Sequence, residues 1–180
     1  MRTANDLAQE QGLSGWTLRD LARRLGMAPP SLYSYFASKD ALHDAMFAQG
    51  NREMLALEIG RGRDLREQLG LGSQGFVRFC LDDPVRYQLL FQRTIPGFTP
   101  SEESWVLARA AYDHVMAPLA HVGLGDQADL DLVTAVVRGL VDQQLANDPG
   151  GDRWVKLLDS ALDMLAAHFT KASTRTKGAV

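Results

Sequence analysis

Cysteine is almost missing from this chain of 180 residues: Cys80 is the single one. That excludes an internal disulfide framework and the multi-cysteine zinc patterns, which need several thiols at short spacing. No uninterrupted apolar run is long enough to span a bilayer. The opening MRTANDLAQEQ lacks the apolar centre of a secretory leader. A cytoplasmic chain with no membrane partner is the expectation. Neither charge dominates: 19 Lys and Arg stand against 22 Asp and Glu, a net charge of −3. A binder that works by bulk positive charge is thereby excluded, although a local basic face is not. No segment alternates as a strand does, so no glycine-rich phosphate loop follows one. His114 and His121 lie too far apart to ligate one metal from a single helix face. Neither a metal, a cofactor nor an enzymatic activity is expected.

What is present is helical periodicity on a chain that is 46% hydrophobic, enough for a substantial core. Leu18, Leu21, Ala22 and Leu25 repeat at i, i+3, i+4, i+7 and define one apolar helix face. Thr17 followed by Asp20 has the spacing of a capping box. Gly26 sits where a left-handed residue ends a helix. Pro29 and Pro30 suit the first turn of the next helix, expected over Pro29 to Tyr35. Before this pair, Ala4, Leu7 and Ala8 mark a first helix that stops at Gly12. After it, Ser38 caps a long helix expected to reach about Ile59. Two helices joined by a tight turn, with a small-residue second helix, read as a helix-turn-helix over 17–36. Between Met1 and Met54 six basic side chains are balanced by six acidic ones, so the module as a whole is neutral. Ser31 can bond to several bases, and the Tyr33 and Tyr35 hydroxyls can reach phosphates. Thr17 and Lys39 each start a helix, where backbone N–H groups already favour phosphate. Arg19 and Arg23 could contact the backbone or the groove edge. The same LxxLAxxL stripe also suits ordinary core packing, with the arginines on a solvated face.

The pieces TLRDLARRLG, PSLYSYF and SKDAL, within Gly15 to Phe47, resemble the DNA-binding domain of the tetracycline-repressor (TetR) family. The resemblance covers about the first third of the chain. It implies an all-α fold: an N-terminal three-helix helix-turn-helix domain over 1–54, a C-terminal ligand-binding and dimerisation domain over 55–172, and a flexible tail over 173–180. It implies phosphate contacts from Thr17, Tyr33, Tyr35 and Lys39, and base-facing roles for Pro30, Ser31 and Arg19. The implied function is a ligand-responsive homodimeric repressor acting on a palindromic double-stranded operator. The alternative is a helical small-molecule-binding or adaptor protein that has lost DNA binding. Two departures stand out. Ala28 occupies a cap position often held by Ser or Thr, and only a short stretch with Arg2 as its lone base precedes Gly12.

The remaining residues read as further helices: 64–81, Asp83 to Phe91, a start at Thr99-Pro100-Ser101-Glu102 running to about His121, 129–147 and 152–170. Aromatic and soft side chains in the middle, Phe76, Phe79, Tyr87, Phe91, Phe98, Trp105, Tyr112 and Met116, would suit a mainly apolar small ligand. Arg109, His114, Gln143 and Gln144 could supply polar contacts. Each of these fits a plain core or surface role equally well. Leu130, Val133, Val137 and Leu140, with Trp154, Leu158, Leu162 and Leu165, form two apolar stripes expected to pack against a second copy.

Overall fold

The computed structural model describes the backbone of residues 1–177 and the side chains of residues 1–172. Among the described residues the fold is entirely helical, and no helix is long and apolar enough to cross a membrane. The chain divides into two compact units, neither continuous in sequence: Met1–Ala56 with Asp83–Ala111, and Leu57–Asp82 with Tyr112–Val180.

The first unit starts with α1 (Arg2–Gln11), α2 (Leu18–Arg24), α3 (Pro29–Tyr33) and α4 (Lys39–Leu55). α6 (Pro84–Phe91) and the first part of α7 (Glu102–Met116) belong to it as well. The reason is a shared core. Ala4, Leu7 and Ala8 of α1, Trp16, Leu18 and Leu21, Leu32 of α3, and Leu42 and Phe47 of α4 are buried in one cluster with Val85 and Leu89 of α6. Polar contacts tie the same elements. Asn5 donates to Asp83 at 2.9 Å, and Arg86 pairs with Glu53 at 2.7 Å. A division at residue 54 would therefore separate α6 from the core it completes.

Capping fixes the start of α7. The sequence pattern suggested Thr99 as its cap. The structure uses Ser101, whose hydroxyl accepts from the Ser104 amide at 3.3 Å. Asp44 of α4 accepts from the Ser101 amide and hydroxyl, both at 2.8 Å. α4 stops at Leu55 rather than near Ile59. Just beyond, the Leu57 carbonyl accepts from the His114 ring at 2.8 Å instead of continuing the helix.

The second unit holds α5 (Leu65–Asp82), the end of α7, α8 (Gln127–Asn147) and α9 (Leu158–Lys177). α7 ends at Met116 and tightens into a 3-10 helix over Ala117–Val122, because Pro118 has no N–H for another α-helical bond. α9 begins later than its apolar stripe, which starts at Trp154. The amide of Trp154 donates to Gln144 Oε1 at 2.8 Å, and that of Val155 does so at 3.3 Å. These bonds hold the segment as a turn leading into a 3-10 helix at Val155–Leu157. The tail expected from residue 173 is helical through Lys177, and 178–180 lie outside the described residues.

Candidate nucleic-acid interface

The helix-turn-helix is built by local chemistry that the sequence spells out. Thr17 and Asp20 form a reciprocal capping box: the Asp20 amide donates to Thr17 Oγ1 at 3.2 Å, and the Thr17 amide donates to Asp20 Oδ2 at 2.9 Å. Two of the orphan donors at the start of α2 are thereby satisfied. Gly26 turns the chain with φ +66°, a left-handed conformation that costs glycine little. α3 follows with Pro29 in its first turn and Ala28 at the cap, where no side chain bonds. α3 ends at Tyr33, two residues earlier than its pattern suggests. The Tyr35 and Phe36 amides both turn back to the Leu32 carbonyl at 3.0 Å.

Leu32 is the one α3 side chain turned into the core. Pro29, Pro30, Ser31, Tyr33 and Ser34 face solvent. Tyr33 is 45% and Tyr35 74% exposed, values unusual for aromatic rings that have a core available beside them. Ser34 Oγ donates to the Ser31 carbonyl at 2.7 Å, whereas the Ser31 hydroxyl is exposed. The structure thus sets Pro30, Ser31, Tyr33 and Tyr35 on and just after one short helix.

The cations are less available than the sequence implies. Arg24 pairs bidentately with Glu10 at 2.5 and 2.6 Å, and Arg23 pairs with Asp20. The Arg24 hydrogen bond lowers the Glu10 carboxyl from its ordinary value. Arg19 is exposed and lies outside both pairs. Lys39 Nζ donates to the Trp16 carbonyl at 2.6 Å and sits 4.5 Å from the Trp16 ring centroid. Desolvation lowers its ammonium below the usual lysine value. Lys39 therefore links the start of α4 to the turn before α2. The Thr17 hydroxyl likewise donates to Asp20 at 2.7 Å, so its proton is engaged in the cap.

Behind this surface lies His43, which sequence reasoning missed. It is 1% exposed on α4 and stands edge-on to Trp16 and Phe98, with ring centroids 6.0 and 5.6 Å away. Burial, and then the charge of Lys39, hold its imidazole below the ordinary histidine value. The His at i+4 from Lys39, flanked by Leu42 and Met46, was a readable signal.

The candidate ligand residues are divided between the two units. Tyr87, Phe91, Trp105 and Arg109 belong to the first, and Phe76, Phe79, Tyr112, Met116 and Gln143 to the second. Tyr87 is fully buried and packs on Phe91, with ring centroids 5.4 Å apart. Arg109 bonds Glu102 at 2.9 Å on the surface. Gln143 is exposed and accepts from Asn147 at 2.8 Å. Phe98 lies against His43, and Gln144 is spent on the turn after α8. The candidate dimer residues differ in their exposure. Val133, Val137, Leu158, Leu162 and Leu165 are already buried inside the single chain, because α8 and α9 pack on each other and on α5. Leu130, Leu140 and Trp154 are half-buried. Among the described residues, the large apolar side chains left exposed on α8 and α9 are Leu132 and Met164, and Leu157 is exposed just before α9.

Three kinds of likeness accompany this geometry. Residues 1–46 match the family model for bacterial regulatory proteins, tetR family. The tetracycline repressor protein class A from transposon 1721 of Escherichia coli is 37% identical over 81 residues, which is 38% of each chain. An HTH-type transcriptional repressor of Mycobacterium tuberculosis is 26% identical over 93% of this chain and 67% of its own length. Among solved structures, the TetR family transcriptional regulator PfmR from Thermus thermophilus has a TM-score of 0.71 at 16% identity, covering 93% of this chain and 98% of that one. A TetR from Acinetobacter baumannii AYE, solved in complex with minocycline, has a TM-score of 0.59 at 26% identity, covering 95% and 94%.

Proposed function

We propose that this chain, whose residues 1–46 match the family model for bacterial regulatory proteins, tetR family, works in the cytoplasm as a homodimeric transcriptional repressor of that family, released from its operator by a small, mainly apolar molecule. The observation that carries the reading is α3: a short helix held by one buried leucine, with Ser31, Tyr33 and Tyr35 turned to solvent. In a helix-turn-helix the second helix enters the major groove, and half-sites for a dimer lie about 34–36 Å apart or at multiples of that. Tyr33 and Tyr35 hydroxyls position the helix on phosphates, and Ser31 and Pro30 face the bases. Arg19 supplies a cation outside the two ion pairs of α2. The dimer uses the outer sides of α8 and α9, with Leu132 and Met164. The ligand acts by binding one conformer of the dimer better than the other; a relative solved with minocycline supports this part.

The test is retardation of the protein's own upstream DNA. Wild type should give a specific shifted band, and Tyr33→Phe with Tyr35→Phe should weaken it at least tenfold while leaving the dimer intact by sedimentation. Equal affinity of the double variant would sink the assignment of α3. Absence of any specific band would favour the binding or adaptor reading, which the neutral charge of the module supports.

A further inference from the structure

We infer that Lys39 is a positioning residue: its ammonium clamps the peptide between Trp16 and Thr17, and so sets the start of α2 against the start of α4 instead of gripping a DNA phosphate. This rests on the reading of the helix-turn-helix as the element that contacts DNA. The clamp lies in the bonds of a single peptide group. Its carbonyl, that of Trp16, accepts from Lys39 Nζ at 2.6 Å. Its N–H, that of Thr17, donates to Asp20 Oδ2 at 2.9 Å. A cation holds one end of the peptide and an anion the other. Each bond polarises the group in the direction that strengthens the other, and hydrogen bonds with an ionised partner are stronger than neutral ones. With both ends held, the plane of the peptide is fixed, and with it the direction in which α2 leaves.

Both anchors are held in turn. Trp16 is 1% exposed and belongs to the core of the first unit. Its ring lies 4.5 Å from Lys39 Nζ and edge-on to His43, so cation–π attraction adds to the bond. Asp20 is fixed by the Thr17 hydroxyl and by Arg23. The carboxylates of Asp20, from α2, and Asp40, from its own helix, act on the Lys39 charge as well. An ammonium so compensated gains little by turning to a phosphate. Arg19 stands exposed in the first turn of α2, just beyond the clamped peptide. The orientation of that peptide therefore decides where Arg19 points.

The test compares wild type with Lys39→Met, which keeps an alkyl stem over Trp16 and removes the donor and the charge; folding is checked by circular dichroism. In the free protein the amides of residues 17–20 should exchange hydrogen faster in the variant. Binding to the protein's own upstream DNA should weaken about tenfold, the scale of one hydrogen bond to a charged group. The slope of log affinity against log salt should stay unchanged. Arg19→Ala should cost less in the Lys39→Met background than in wild type, because the two residues act through one peptide. A slope smaller in magnitude by about 0.9, with amide protection intact, would make Lys39 a phosphate contact. That result would overturn the inference and leave DNA reading standing. Faster exchange at full affinity would also overturn it, since the clamp would then serve the fold alone. Wild type gives a check free of any folding defect: the Lys39 ammonium signal in NMR should keep its position when operator DNA is added, and a shift on binding would refute the clamp. No specific band from wild type would overturn the DNA-reading function, and the positioning role with it, whatever the amide exchange shows.

Discussion

His43 sits where a proton is costly. Its ring is enclosed by Trp16 and Phe98, Lys39 opposes a second positive charge, and the Asp40 carboxylate is 3.9 Å from Nδ1. The folded chain therefore favours the neutral imidazole. An unfolded chain takes up a proton near the ordinary value of 6.5. The stability that His43 contributes is complete above that pH and is lost as pH falls below it, until the lowered folded value is reached. Thermal melts at pH 7.5 and 5.5 should show Tm falling, and His43→Leu should flatten that slope. Equal slopes in the two proteins would refute the assignment. The position of His43 was readable in sequence, but its surroundings were not. Thr17 with Asp20, Gly26 and the two prolines act within a few positions of themselves, so spacing exposes them. The partners of Lys39 and His43 come from other segments, and no local pattern names them.

Elements were legible where both ends carry chemistry of their own. α6 runs from a capping Asp83 with proline at N1 to Phe91, as its pattern states. α8 is bounded by Asp126 and the Asn147-Asp148-Pro149 break. The start of α9 escaped because a distant side chain decides it. Gln144 is 1% exposed, accepts from the amides of Trp154 and Val155, and donates to the Asp148 carbonyl and to Asp148 Oδ2 at 3.1 Å. A glutamine that fills a turn in this way is indistinguishable, in sequence, from one that lines a ligand pocket. Gln144→Ala strips two amides of their acceptor and should cost ~1–3 kcal/mol, read from urea unfolding. A change below a few tenths would mean that water replaces the side chain fully.

For the whole molecule, the helical class and the likeness of the N-terminal residues to the tetR model were visible in sequence, but the membership of the first unit was not. Long-range packing of Val85 and Leu89 against α1 and α4 has no signature in a window of sequence. It follows that the chain ended after Ala56 lacks part of its core and the partners of Asn5, Glu53 and Asp44. That fragment should show weak helical dichroism and no cooperative melt, whereas the full chain should unfold with a clear transition. A sharp melt for the fragment would show that α1–α4 stand alone.

The same arrangement sets an order of events during synthesis. Chains emerge from the N-terminus at roughly 5–20 residues per second, and the core around Leu7, Leu21 and Phe47 is closed by residues that emerge tens of positions later. While α5 is being made, the nascent helix-turn-helix exposes apolar surface that its own later segment covers. Folding of the first unit is thereby tied to translation past α6 and the start of α7, so a chain cut short at Ala56 leaves that apolar surface uncovered.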